Sequence, residues 1–183
     1  MKATLTLLAL LALLATPLVA AETLREKLAA RAAESNKSGD PAVQAAYARG
    51  IEAVAASGIL DRVKKVGDKA PEFALKNAAG AEIKLSGLLK DGPVVLTWYR
   101  GGWCPYCNIA LAAFQEKLPG IKAAGARLVA LTPELPDKSL STKEKNSLTF
   151  EVLTDLNHAV AANTGSSSNS LPKYETSTRS IST

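Results

Sequence analysis

The chain holds two cysteines in 183 residues, and both fall in Trp103-Cys104-Pro105-Tyr106-Cys107. A cysteine attacks as its thiolate, and an unperturbed thiol titrating near pH ~8.5 is mostly protonated at neutral pH. At the start of a helix, unpaired N–H groups and the positive end of the helix dipole favour the anion, so the expected pKa of Cys104 falls. Two intervening residues put the second sulfur one helical turn on, so a sulfenic acid or mixed disulfide on one can be resolved by the other. Pro105 fixes the backbone of that first turn and removes a competing donor, and the ring of Trp103 is expected to shield one side. Arg100 either adds positive charge beside the sulfurs or is a surface cation. A purely structural bridge is the competing reading, since an oxidising compartment permits one. A loop of only about four residues gains little from cross-linking, which favours a bond that opens and closes. Zinc sites usually take four ligands, and His158 is the only histidine, expected as a solvated helix residue. No metal or other cofactor is expected.

The neighbouring pattern explains how such a pair could be positioned. Val94 to Tyr99 is a continuous apolar run suited to a buried parallel strand, read here as the central one. Gly101 and Gly102 then allow a sharp bend into a helix carrying Ile109, Leu111, Phe114 and Leu118. That helix should reach Ala124, with Gly125 as its cap and Pro119 as a kink costing about 3 kcal/mol unless packing compensates. Arg127 to Thr132 reads as a second buried strand, which makes a βαβ unit with a parallel pair. Upstream, Phe73 and Leu75 alternate before Asn77-Ala78-Ala79-Gly80, and Ile83 and Leu85 after it, as in a hairpin. Ser86 is expected to cap a short helical turn, ended by Asp91-Gly92-Pro93. Downstream, Phe150 to Leu153 is a short strand, and Asp155 and Asn157 can cap a turn through Val160.

The ends of the chain carry different signals. Lys2, the Leu/Ala-rich run from Leu5 to Ala15 and the small residues Val19, Ala20 and Ala21 read as a cleaved secretory leader, residues 1–21. An uncleaved anchor is the alternative, but the run falls short of the roughly 18–20 residues a spanning helix needs. A periplasmic or secreted location and no stable membrane anchor are therefore expected. Residues 22–63 read as a helical extension of two helices broken at Ser38-Gly39-Asp40-Pro41, with Asp40 as N-cap and Pro41 first in the helix. The second helix spaces Val43, Tyr47, Ile51 and Val54 for packing or a homodimer contact. Residues 164–183, about half Ser and Thr over most of their length, read as a disordered tail. The formal charge of +5 falls by one when Lys2 leaves with the leader. With no Lys/Arg run interleaved with aromatics, this excludes a nucleic-acid footprint.

Val66-Gly67-Asp68-Lys69-Ala70-Pro71-Glu72-Phe73, the hairpin after it, and Tyr99-Arg100-Gly101-Gly102-Trp103-Cys104-Pro105-Tyr106-Cys107-Asn108 resemble the peroxiredoxin-like branch of the alkyl hydroperoxide reductase/thiol-specific antioxidant family. The likeness covers roughly residues 66–163, within a domain expected over 64–163. It implies an α/β, thioredoxin-like fold and reduction of hydrogen peroxide or alkyl hydroperoxides at a cysteine, with electrons returned by thioredoxin or a similar dithiol donor. In the family's Pro-x-x-x-Thr-x-x-Cys order, setting Cys107 on the peroxidatic cysteine puts Cys104 in the threonine place and Arg100 in the proline place. Thioredoxin-type logic instead makes Cys104 the attacking thiolate and Cys107 the resolving one, and exposure together with the helix-end position favours Cys104. The resemblance also implies a later antiparallel hairpin with a cis-proline loop, which nothing after Asn163 matches; Leu171-Pro172 is a poor substitute. An incomplete C-terminal part with an exposed sheet edge is therefore expected, as in a truncated or frame-shifted product. Two other functions stand beside the peroxidase: a periplasmic thiol–disulfide oxidoreductase acting on protein cysteines, and an inactive remnant.

Overall fold

The computed structural model describes residues 22–165. The leader and all but the first two residues of the expected tail lie outside the described residues. Thr164 and Gly165 are not loose: the Thr164 carbonyl accepts from the Lys64 backbone N–H at 3.0 Å, and Gly165 N–H donates to Ala162 O at 2.9 Å.

Helix α1, Leu24–Ser38, starts from a capping box in which Thr23 and Glu26 satisfy each other's backbone N–H groups. Its half-buried positions Leu24, Leu28, Ala32 and Ser35 recur at helical spacing. The turn at Gly39 and Asp40 is as expected, with Asp40 accepting from Ala42 N–H at 2.7 Å and Pro41 opening α2, Pro41–Ala56. A short α3, Ile59–Arg62, follows.

The sheet is built from β1 (Ala74–Asn77), β2 (Glu82–Lys84), β3 (Val94–Trp98), β4 (Arg127–Thr132) and β5 (Glu151–Thr154), in the order β2-β1-β5-β4-β3. β1 pairs antiparallel with β2 and β5, while β3, β4 and β5 run parallel. The hairpin between β1 and β2 closes on Asn77, whose side-chain oxygen accepts from Ala79 and Ala81 N–H. Val94–Trp98 is not central. Among the described residues it lies at the sheet edge, with Val95 exposed, whereas β4 and β5 are buried almost throughout. An apolar run reports burial on its faces and cannot tell whether a strand has one neighbour or two.

Alternation along the two inner strands divides the core. Leu128, Ala130 and Val152 face α5 (Pro105–Ala123), where Leu111 and Leu118 meet them. Val129, Leu131 and Leu153 face the other way, towards Phe73, α4 (Leu85–Leu88) and α7 (Ala159–Asn163). Ser86 does not cap α4; the Glu72 carboxylate accepts from Ser86 N–H at 2.9 Å. Asp155 caps α7 as expected, accepting from Val160 and Ala161 N–H, while exposed His158 precedes that helix with a left-handed backbone. Between β4 and β5 lies a helix the sequence pattern conceals, α6 (Pro136–Lys145), whose buried residues are Ser139 and Thr142 rather than apolar ones. α5 runs unbroken through Pro119 and closes with Gly125 and Ala126 N–H donating to Lys122 and Ile121 carbonyls, a Schellman cap with Gly125 at φ 74°.

Among the described residues no helix is long and apolar enough to cross a membrane. The architecture is a mixed α/β sheet of thioredoxin-like type with extra N-terminal helices.

Candidate active site

β3 hands the chain to Tyr99, whose N–H still pairs with Leu131 O at 2.9 Å, and the bend follows at once. Only glycine fits there. Gly101 has φ 154°, and a Cβ on it would strike the Trp103 ring and the Glu134 carboxylate; one on Gly102 would strike Thr142 Oγ1. The Glu134 carboxylate holds the bend by accepting from Gly102 N–H at 2.9 Å. Asn108 Nδ2 donates to the carbonyls of Gly102 and Cys104, both at 2.9 Å, and Asn146 Nδ2 donates to Asn108 Oδ1 at 2.8 Å. The turn is thus braced from inside α5 and from the end of α6.

Cys104 takes the N-cap position of α5, with Pro105 first in the helix. Its sulfur stands where a capping oxygen would, accepting from Cys107 N–H at 3.4 Å and from Arg100 Nη2 at 3.1 Å. Both cysteines are unbridged. Burial pushes the Cys104 thiol up, but hydrogen bonds from the Cys107 thiol and N–H, with the bond and charge of Arg100, outweigh it and leave the pKa below the ordinary 9.0. Cys107 moves the other way: burial and its own thiol's hydrogen bond to Cys104 hold it above 9.0, against weaker help from Arg100. The pair therefore ionises as a unit, with the first charge on Cys104 and a proton kept on Cys107.

Exposure does not favour Cys104, contrary to the sequence expectation. It is fully covered (0% exposed), whereas Cys107 is half-buried. The helix-end argument is the one that holds. Arg100 is the charge beside the sulfurs rather than an unrelated surface cation, and its guanidinium lies 5.2 Å from the Trp103 ring centroid, within cation–π reach. Trp103 itself is 67% exposed and lines a separate hollow with Glu134, Lys138 and Lys145. It touches the chemistry through Arg100 instead of shielding the sulfurs.

Behind the site, burial pushes the Tyr99 phenol up, while the hydroxyls of Thr132, Thr142 and Ser139 around it pull more weakly downward. None of them lies in good hydrogen-bond geometry to Tyr99 Oη among the described residues. Asn108, Glu134 and Asn146 were not legible as site residues. Asn108, one turn beyond Cys104, carried the one available hint. No cluster of three or more His, Cys, Asp or Glu that could hold a metal occurs among the described residues. Beside the sulfurs lies a cavity of about 240 Å³ whose walls include Cys104, Cys107, Arg100, Tyr106 and Phe114.

A Cys-x-x-Cys pair at the tip of a helix that follows a parallel strand places the chain in the thioredoxin-fold class of thiol proteins. The AhpC/TSA family model matches residues 66–180, and the chain belongs to that family. It is similar to Peroxiredoxin Bcp of Escherichia coli K12, 27% identical over 101 residues covering 55% of this chain and 64% of the relative. Peroxiredoxin Bcp of Bacillus subtilis is 30% identical over 97 residues, 53% and 61% of the two chains. The crystal structure of Peroxidoxin BcpB from Mycobacterium tuberculosis superposes with a TM-score of 0.54 at 30% identity, over 55% of this chain and 66% of that one. The chain thus spans less than two thirds of these relatives' lengths.

Proposed function

We propose that the chain is a thiol-dependent peroxidase that reduces hydrogen peroxide or alkyl hydroperoxides through Cys104 and Cys107 and is recycled by thioredoxin or a similar dithiol donor. The observation that carries this reading is the divergence of the two thiols. Cys104 is drawn towards the thiolate by the helix tip, Cys107 and Arg100, while Cys107 keeps its proton. The Cys104 thiolate attacks the terminal peroxide oxygen. The O–O bond breaks, sulfur loses two electrons to become a sulfenic acid, and the departing alkoxide or hydroxide takes a proton to leave as alcohol or water. Arg100, donating at 3.1 Å, is placed to hold the thiolate and the developing negative oxygen together. Cys107 then attacks the sulfenic sulfur, the S–S bond forms, and the S–O bond breaks to release water. The donor's two thiols reduce the disulfide by successive exchange.

Full-length protein with a dithiol donor should consume hydrogen peroxide or cumene hydroperoxide, and Cys104→Ser should abolish this. A wild type inert to both, while its thiols still react with iodoacetamide, overturns the reading.

The second reading, a thiol–disulfide oxidoreductase acting on protein cysteines, draws support from the Trp-Cys-Pro-x-Cys spacing, with Cys104 where the family pattern has threonine. Reduction of insulin disulfides without peroxide turnover would establish it. Export to the periplasm or beyond remains part of the proposal, supported by the leader-like residues 1–21. So does contact with a second copy through Val43, Tyr47 and Ile51, which α2 leaves exposed.

A further inference from the structure

The cavity beside the sulfurs is not built by the family domain alone. Its lining includes Leu28, from α1 of the N-terminal extension, together with Trp98, Ala110, Leu111 and Phe114. Leu28 is half-buried and lies on the inner face of α1 with Leu24 and Ala32. The contact is aligned by Lys27, whose ammonium lies 3.4 Å from the Glu116 carboxylate of α5, and the helix that carries Leu28 is capped by Thr23 and Glu26. α1 lies wholly outside residues 66–180, the stretch the family model matches, so this wall comes from outside that stretch.

The cavity's lining is mixed. Arg100 and the two thiols stand beside hydroxyl-bearing Thr97 and Tyr106, and Leu28, Leu111 and Phe114 are apolar. Its volume of about 240 Å³ is several times the ~30 Å³ a water molecule takes in the liquid, which leaves room beyond a peroxide group for a small organic one. A hydroperoxide bearing an apolar substituent suits such a lining: the O–O unit towards Arg100 and the thiols, the organic group against Leu28 and Phe114. Hydrogen peroxide gains nothing from the apolar residues.

Resting on the peroxidase reading above, we propose that α1 forms a wall of the substrate pocket and that Leu28 is a specificity-determining residue favouring organic hydroperoxides over hydrogen peroxide. The N-terminal extension then sets substrate choice while the CxxC pair sets the chemistry.

The test measures second-order rates of thiol oxidation of the full chain by cumene hydroperoxide and by hydrogen peroxide in wild type, Leu28→Ala and Leu28→Met. The ratio of the two rates should fall about tenfold in Leu28→Ala. It should stay within about twofold of wild type in Leu28→Met, which keeps the apolar volume. An unchanged ratio in Leu28→Ala, or an equal fall in both rates, overturns the assignment, because a purely structural role moves both peroxides together. A changed affinity for the dithiol donor with the peroxide ratio intact overturns it too, and gives the wall to the donor. Should Leu28→Ala not fold, Leu28→Val carries the same expectation in smaller measure. Inertness of the wild type to both peroxides removes the peroxidase reading and this inference together, whereas an unchanged ratio in a peroxide-active protein removes this inference alone.

Discussion

At its N-terminal end α5 is capped by a sulfur, and at its C-terminal end by backbone. Both ends of any helix leave polar groups without intrahelical partners. At Ala124 the problem is closed locally: Gly125 turns left-handed, and two backbone N–H groups satisfy the carbonyls of Ile121 and Lys122. At Cys104 the Cys107 N–H is aimed at a thiol that can ionise, and Arg100 from the preceding bend, with Glu134 and Asn146 from more distant segments, holds that arrangement. The closed end can only stabilise. The sulfur-capped end uses the same unsatisfied groups to set a charge, and its support must be imported from β4's exit and from α6. Substitutions at the two ends should therefore separate stability from reactivity.

The largest effect is expected at Cys104. Cys104→Ser removes the proposed nucleophile and should lower peroxide-driven turnover by about a thousandfold or more, read as peroxide consumption with a dithiol donor. Next is Arg100→Ala, which removes a hydrogen bond and a positive charge from the thiolate. The pH midpoint of Cys104 alkylation should rise towards that of an ordinary thiol, and the alkylation rate at neutral pH should fall by about tenfold. The sign for stability follows from the depressed folded value. Ionised Cys104 stabilises the fold fully above the pKa of an ordinary, unfolded-chain thiol, and that contribution is lost as pH falls through the lowered folded value. Arg100→Ala should narrow this window, a change visible in urea midpoints measured across pH. An unmoved alkylation midpoint would mean that the charge of Arg100 is not coupled to the sulfur.

Asn108→Ala should cost about 1–2 kcal/mol, since it leaves the Gly102 carbonyl without its donor and takes away one of the two acceptors of Asn146 Nδ2, the other being the Thr142 carbonyl. It should also slow the thiol by loosening the bend, so stability and reactivity fall together. At the far end, Gly125→Ala should cost about 1 kcal/mol by urea denaturation, because a Cβ there meets nothing yet forces φ 74° on an L-residue. Its alkylation rate and pH midpoint should match wild type. A reactivity change in Gly125→Ala would break the separation between the two ends.

The chain's local devices were legible where one residue does one job. Asp40-Pro41 announces α2, Gly125 announces the end of α5, and the apolar run Arg127–Thr132 is β4 residue for residue. What escaped depends on partners distant in sequence. The edge position of β3 is a property of its neighbours. The N-terminal cap of α4 comes from Glu72 rather than adjacent Ser86. α6 was invisible because it buries Ser139 and Thr142, so no apolar period marks its inner face. At the site the cysteine pair could be read from spacing, but the choice between the two readings of Arg100, the full covering of Cys104, the exposure of Trp103 and the arrival of Leu28 from α1 required the folded chain.

The central claim is that the sulfur capping α5 is the one that meets peroxide, and trapping the sulfenic acid tests it most directly. Cys104→Ser and Cys107→Ser variants are exposed to one equivalent of peroxide in the presence of a dimedone-type reagent, and the adduct is located by mass spectrometry. The account predicts an adduct on Cys104 in the Cys107→Ser protein and none on Cys107 in the Cys104→Ser protein. An adduct that forms on Cys107 while Cys104 stays unmodified would contradict it.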